Sequence, residues 1–315
     1  MVSSRRRAIG GVLGGAGVIG GAVLAAMAYR VSPSFWRQFA REIPRPVVPP
    51  AKIPKPRTWP DRGLQAAWIG HTTVLMKIDG VTVLTDPVFS TRCGVNIGPV
   101  TFGLKRMVAP ALDLDEVPQI DLILLSHAHM DHFDVPTLRN LESEKTSVIT
   151  APHTSDLLRV ERYRKVEELA WGQAARVGPL TVRAFAVNHW GARMRTDTWR
   201  GYNGYIIESG NRRVVFGGDT AETDGFRNVA SRPVDLAIMP IGAYNPWIRF
   251  HCTPEQAWRM ANDAKAEFIL PVHHQTFQLS REPHTEPIER LQEAAGQSAH
   301  RVATRAVGDE FHIDG

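Results

Sequence analysis

The chain has 315 residues, 43% of them hydrophobic and 22% charged, which is ample for a large core in one or two domains and unlike a disordered, collagen-like or many-spanning membrane protein. Its net charge of +5 is unevenly laid out: residues 1–60 hold ten Lys/Arg against one acid, Glu42, a surplus of +9, while the rest holds 27 basic and 31 acidic side chains, or −4. The body therefore offers no positive field for a polyanion, and nucleic acid is not expected as substrate or partner. Cys93 and Cys252 stand too far apart for a CxxC redox motif or a thiolate zinc site and are expected to be small buried residues rather than a disulfide.

In chain order, Arg5, Arg6 and Arg7 precede a stretch of 21 residues, 8–28, without a charge, closing on Ala26-Met27-Ala28, a small-x-small pattern of the kind signal peptidases cut. Residues 1–30 read as a signal peptide, whose arginines resemble a twin-arginine signal, or as a membrane anchor just long enough to cross a bilayer core. Arg30, Arg37, Arg41 and Arg45 flank the other side, so charge does not choose an orientation. The expected location is the periplasmic face of the inner membrane, exported or tethered, with a cytoplasm-facing anchor as the alternative. Residues 31–60 form a proline-rich linker or strap, because Pro44, Pro46, Pro49, Pro50, Pro54, Pro56 and Pro60 can neither sit in a helix interior nor donate to a sheet. Residues 61–315 make up the main domain.

Apolar or alternating runs at 65–69, 73–78 and 81–84 begin an antiparallel sheet, with Asp79-Gly80 supplying the positive φ of a tight hairpin turn. Further strands are predicted at 122–125, 147–150, 180–187, 202–208, 212–216, 236–239 and 268–272, and helices at 135–141, 154–159, 253–263 and 286–295. Thr253 is a candidate N-cap, followed by Pro254 in the first turn. Strands come first in runs and then alternate with helices, which fits two packed sheets with helices outside better than a pure parallel sheet.

The run 122–125 leads into His127-Ala128-His129-Met130-Asp131-His132. Two histidines two residues apart at a strand end can aim both imidazoles at one point, and Asp131 and His132 add a carboxylate and a third imidazole. Such a set without thiolate suits zinc, with iron or manganese as competitors, and leaves positions open for water. A surface loop that is merely rich in histidine is the bland alternative. One loop cannot surround two metals, and His189, Asp219 and His273 each stand where another predicted strand ends. Taken singly each would be a capping or solvated residue. Their joint placement points to a site for a pair of metal ions.

The 127–132 segment with His189, Asp219 and His273 resembles the signature of the metallo-β-lactamase superfamily. More closely, Gly70-His71-Thr72-Thr73, Leu84-Thr85-Asp86-Pro87, Asn188-His189-Trp190, Gly218-Asp219-Thr220 and Pro240-Ile241-Gly242-Ala243-Tyr244 resemble the N-acylphosphatidylethanolamine-hydrolysing phospholipase D family, over the chain from near Trp59 to near Glu289. The resemblance implies an α+β fold, an αββα sandwich of two mixed sheets flanked by helices, with the metals at one edge. It implies two Zn2+ ions, the first held by His127, His129 and His189, the second by Asp131, His132 and His273, with Asp219 bridging. Asp131, Asp219 and His251 are the implied catalytic residues; His251 would contact phosphate or protonate the leaving oxygen, a structural role being the alternative. His71 and Asp86 are expected to orient ligands. Animal members of the family carry Cys where this chain has Gly191, and Trp-Gly where it has His274-Gln275, departures that bear on substrate more than on the metals.

The implied activity is hydrolysis of a phosphodiester in N-acylphosphatidylethanolamine-like lipids, releasing N-acylethanolamine and leaving phosphatidic acid. The implied partners are the lipid diester and a membrane surface, and a homodimer is compatible with the pattern. An apolar approach to the metals is expected from Phe35, Trp36 and Phe39 and from the 244–250 stretch with Trp247, Ile248 and Phe250. A lactone, ester or β-lactam hydrolase on the same dinuclear site is one alternative, since a fold hosts many chemistries. A non-catalytic metal-binding envelope protein is the other.

Overall fold

The computed structural model describes residues 33–98 and 100–315; the signal-or-anchor reading of residues 1–30 lies outside the described residues. No helix among the described residues is long and apolar enough to cross a membrane. The chain divides into two compact units between Arg45 and Pro46. In the first, α1 (Pro33–Glu42) gathers Phe35, Trp36 and Phe39 at helical spacing, so their rings meet edge to face at 5.3 and 5.7 Å.

The second unit holds two mixed sheets. Its strands are β1 (Leu64–Gly70), β2 (Thr73–Ile78), β3 (Val81–Thr85), β4 (Arg92–Ile97), β5 (Val100–Lys105), β6 (Leu122–Leu125), β7 (Ser147–Thr150), β8 (Lys165–Glu168), β9 (Ala174–Val177), β10 (Leu180–Phe185), β11 (Gly204–Ser209), β12 (Arg212–Phe216), β13 (Val234–Pro240), β14 (Ala266–Val272) and β15 (Glu310–Ile313). One sheet runs β15-β1-β2-β3-β6-β7-β8, the other β14-β13-β12-β11-β10-β9, and β4-β5 form a separate two-stranded ribbon. Side chains alternate across each strand. Val214 and Phe216 of β12 and Leu236 and Ile238 of β13 therefore enter the core shared with the first sheet. Val215, Ala237 and Met239 face the other way, into a second core with Ala257, Met260 and Ala261 of α3 (Pro254–Asp263) and Leu291 of α4 (Glu286–Ala295). With α2 (Val135–Asn140) this is the αββα sandwich of two mixed sheets flanked by helices.

Residues 46–60 run along this unit by main-chain bonds, Val48 N–H to the Met107 carbonyl and Ala51 N–H to that of Val307, and the Trp59 indole donates to Glu310 at 2.7 Å. At the start of α3, Thr253 accepts from the Gln256 amide while the Gln256 side chain accepts from Thr253 N–H, a reciprocal cap that fixes where the helix begins. The helix expected over 154–159 is only a single 3-10 turn, Ser155–Leu157. The Glu168 carboxylate takes the amides of His153, Thr154 and Ser155 at 2.8 to 2.9 Å, and the chain turns extended at Leu158.

Direction decides where the site lies. β3 and β6 are parallel, and β1 is antiparallel to the intervening β2, so β1, β3 and β6 all end at one edge of their sheet. In the second sheet β12, β13 and β14 are parallel, and β10 points the same way because it is two antiparallel steps from β12. Asn203 N–H donates to the Ser126 carbonyl at 2.9 Å and ties the two edges together. His71, Asp86, His127, His189, Asp219 and His273 all follow the carboxyl ends of these strands, where open sheets build their binding sites.

Candidate metal centre

The loop after β6 is fastened before it reaches its ligands. Arg193, half buried, donates to the carbonyls of Ala128 and Phe133 at 2.9 and 2.8 Å, pinning both ends of the histidine-rich turn. Gly218, at φ 57°, lets the chain pass between Asn203 and Ser126; a Cβ there would stand 2.8 Å from both the Asn203 carbonyl oxygen and Ser126 Cβ, so only glycine delivers Asp219 to this point. His71, Asp86 and His273 themselves adopt positive φ (52°, 33° and 64°), local strain that the surrounding packing has to hold.

Two groups of ligand-type side chains form side by side: His127, His129, His189 and Asp219 in one, and His71, Asp131, His132 and His273 in the other. Asp219 Oδ2 lies 3.1 Å from the Nε2 atoms of both His132 and His273, 3.9 Å from His127 Nε2 and 3.8 Å from His189 Nε2, a place between the two groups. All the residues expected as ligands thus converge. His71 joins them by its Nε2, 2.9 Å from Asp131 Oδ2. His251 also belongs here, its Nδ1 3.8 Å from Asp219 Oδ2 and its ring beside those of His189 and His273.

The imidazoles are turned by their outer nitrogens. His132 Nδ1 is 2.7 Å from Asp86 Oδ2, His127 Nδ1 is 2.8 Å from Ser126 Oγ, which donates to the same Asp86 oxygen at 2.6 Å, and His189 Nδ1 donates to the Phe250 carbonyl at 2.8 Å. Each of these partners can accept a hydrogen bond from Nδ1–H, the tautomer that leaves Nε2 with a lone pair aimed inward. The expectation that Asp86 orients ligands is thus met twice over, and Ser126 and the Phe250 carbonyl are additions that no sequence pattern announced.

The donor set fits metal ions. Nε2 of His127, His132 and His273 and Oδ1 of Asp219 are buried without hydrogen-bond partners, and orphaned polar atoms ordinarily cost about 1–3 kcal/mol each. His189 Nε2 and His129 Nδ1 stand 3.4 Å apart, long for a hydrogen bond but close to the roughly 3.4 Å that separates two nitrogens on one tetrahedral ion with bonds of about 2.0–2.1 Å. Charge points the same way. Burial resists charge on His132, yet Asp219 and Asp131 raise its imidazole well above the usual value, and burial of Asp219 is overcome by His132 and His273, which hold its carboxyl well below the usual range. Burial lowers His129 to about 4. Asp219 and Asp131, which favour positive charge on His132 and His273, would favour bound cations in the same place.

Above the ligands opens a cavity of about 590 Å3, with His129, Asp131, Asp219, His251 and His273 on its floor and Trp190, Trp247, Phe250 and Leu279 on its wall. Trp247 and Phe250 were expected there; Trp190 and Leu279 were not. Tyr244 serves the scaffold instead, buried with its hydroxyl donating to Glu286 at 2.7 Å. Phe35, Trp36 and Phe39 belong to the first unit. His274 turns away and stacks on Trp68, with centroids 4.5 Å apart. His153, His284, His300 and His312 stay outside the ligand clusters formed among the described residues.

Gly191 has a local cause: a Cβ there would meet the carbonyl oxygens of Arg200 and Gly201 at 2.2 and 2.4 Å. Gly191→Cys is expected to lower the melting temperature of the metal-loaded protein by several degrees, the consequence of roughly 1–3 kcal/mol of overpacking, and an unchanged melting curve would show that this loop gives way freely.

Residues 81–274 match the β-lactamase superfamily domain. The chain is 35% identical over 296 residues to an uncharacterized protein of Mycobacterium tuberculosis, covering 89% of this chain and 77% of that one. It is 29% identical over 254 residues to an N-acyl-phosphatidylethanolamine-hydrolyzing phospholipase D of Caenorhabditis elegans, covering 74% and 70%. Among solved structures, a metallo-hydrolase of the archaeon Ignicoccus hospitalis superposes with a TM-score of 0.61 at 18% identity, over 81% of this chain and 100% of its own. Fold and site together define a metal-dependent hydrolase. The chain belongs to the β-lactamase superfamily.

Proposed function

We propose that this chain cleaves the phosphodiester of a lipid of the N-acylphosphatidylethanolamine type, releasing N-acylethanolamine and leaving phosphatidic acid. The observation that carries this reading is the cavity, a floor of imidazoles and carboxylates under a wall of Trp190, Trp247, Phe250 and Leu279, since a lipid diester needs cations for its phosphate and apolar surface for its chains. The likeness to the nematode phospholipase supports it. His127, His129 and His189 would hold one zinc ion and Asp131, His132 and His273 a second, with Asp219 placed to serve both; iron or manganese would suit the same donors. Such a pair, when bound, supplies Lewis acidity toward the phosphoryl oxygens and lowers the pKa of water. His71 keeps Asp131 oriented. His251, lowered to about 4 chiefly by burial, presents a neutral N–H to a phosphoryl oxygen. The bond between phosphorus and the ethanolamine oxygen breaks, a water oxygen takes its place on phosphorus, and the water's proton ends on the departing alkoxide. The lipid is met at a membrane surface, by a chain exported to or tethered at the periplasmic face.

Metal analysis is expected to find two ions per chain, seven ligands being too many for one tetrahedral ion, and a chelator to abolish turnover. The value of kcat/KM is expected to climb with acyl length by up to about fourfold per buried methylene, the equivalent of roughly 0.8 kcal/mol. Equal efficiency on small soluble diesters, lactones or nitrocefin in matched detergent sinks the lipid assignment, and turnover that survives the chelator sinks the metal one.

A further inference from the structure

The cavity mouth lies between two loops that carry large apolar side chains outward. After His189 come Trp190, Met194 and Trp199, 45%, 50% and 63% exposed; across from them stand Trp247 and Ile248, 50% and 46% exposed. The loops touch, for the Trp190 and Phe250 rings are 5.5 Å apart. Exposed apolar side chains scattered singly need no explanation, but five on the two loops that wall one cavity do.

These side chains are held out by construction. Arg200, nearly buried, donates to Asp197 and Asp156 at 2.7 and 2.6 Å and to the His153 carbonyl, while Asp197 also takes the Met194 amide. On the facing loop, the buried Glu282 takes the amides of Tyr244 and Asn245, each at 3.2 Å, and Trp247 donates its indole N–H to the Leu279 carbonyl. A fastened loop does not fold its tryptophans away. Between 188 and 200 and between 244 and 251 the exposed charges are Arg195 and Arg249, and the one acid, Asp197, is buried against Arg200.

We propose that this rim is an interfacial docking surface for an anionic lipid bilayer, with Trp199, Met194 and Ile248 entering the boundary region and Arg195 and Arg249 against the headgroups. Indole suits a boundary that is apolar on one side and wet on the other, and basic side chains are drawn to anionic leaflets. The surface deepens the lipid reading, because it sets the cavity mouth against the layer from which a diester would enter, yet its test does not need turnover.

The test uses the full chain with Thr198→Cys, an exposed neighbour of Trp199, labelled with an environment-sensitive fluorophore, Cys93 and Cys252 being buried. A second preparation carries the label at the exposed Ser231, before the amino end of β13 and so at the edge opposite the site, through Ser231→Cys. With phosphatidylglycerol vesicles the label at 198 is expected to shift to the blue and brighten severalfold while that at 231 does not; Arg195→Gln with Arg249→Gln weakens the response about tenfold, and high salt does the same. Unchanged emission at 198 while the chain sediments with the vesicles overturns the proposal, placing attachment elsewhere, as does unchanged emission with the chain left in the supernatant. A response at 198 in a protein that cleaves no lipid diester keeps the docking surface and removes the phosphodiesterase reading. Because Trp199 and Ile248 do not line the cavity, Trp199→Ser with Ile248→Ser leaves hydrolysis of a short soluble diester unchanged and lowers that of the vesicle-borne lipid.

Discussion

Asp219→Ala is expected to reduce kcat by at least about 10^3-fold, equivalent to roughly 4 kcal/mol, and to lower the bound metal below two ions per chain. Its carboxylate is buried between four imidazoles, with Oδ2 3.1 Å from both His132 and His273 and Oδ1 without a partner. Removing it takes the one carboxylate placed between the two groups and would leave two bound cations less neutralised. His274→Ala is the internal comparison. That ring is equally buried but stacks on Trp68 outside the ligand groups, so its loss costs roughly 1–3 kcal/mol of stability through the cavity it leaves, while kcat stays within about tenfold and the metal content holds. Elemental analysis beside turnover reads both. Equal damage from the two substitutions would make His274 rather than His273 the ligand; full activity in Asp219→Ala would remove Asp219 from the centre.

Much of this was written in the chain because core strands and ligand positions follow short-range rules. Alternation in Val214-Val215-Phe216 sorts side chains between two cores, and six of the strands so identified lead into a residue of the site, His71, Asp86, His127, His189, Asp219 and His273. The strands that the pattern missed in the two sheets, β8, β9 and β15, are all at sheet edges. An edge strand is covered on fewer sides, so its sequence carries charge and alanine, Lys165-Val166-Glu167-Glu168 for instance, in place of an apolar run. The β4-β5 ribbon was hidden for a different reason: Gly94 and Gly103 face each other so closely that a Cβ on Gly103 would strike the Cys93 carbonyl, and glycine reads as turn rather than strand. The ligands were legible, and what holds them mostly was not. Arg193 reaches back some sixty residues to two carbonyls, and Ser126 acts through a hydroxyl, contacts that only the folded chain defines.

Asp86→Asn is expected to weaken metal binding about 10–100-fold although it changes neither shape nor volume. Asp86 Oδ1 accepts the Ser126 amide at 2.7 Å, and Oδ2 accepts Ser126 Oγ at 2.6 Å and His132 Nδ1 at 2.7 Å. Every group facing this carboxylate is a donor, whereas an amide has one acceptor oxygen and one NH2. If the oxygen stays with the Ser126 amide, the NH2 faces His132, whose proton must move from Nδ1 to Nε2, the atom that was to bind metal. If the oxygen faces His132, the NH2 meets the Ser126 N–H. In the first arrangement the NH2 also faces the Ser126 hydroxyl, which must turn and with it shift the proton on His127 Nδ1, 2.8 Å from Oγ, so that the substitution reaches a ligand in each group. In the second the hydroxyl and His132 keep their acceptor, and the cost is two donors facing each other at the start of the turn that carries His127. Asp86→Ala leaves three buried donors unsatisfied at about 1–3 kcal/mol apiece and places alanine at φ 33°, which Asn tolerates better; it should be the less stable of the two. Competition with a chromophoric chelator measures affinity, and thermal unfolding of the metal-free proteins separates it from stability. Wild-type affinity in Asp86→Asn would show that the tautomers of His127 and His132 are set by something other than this carboxylate.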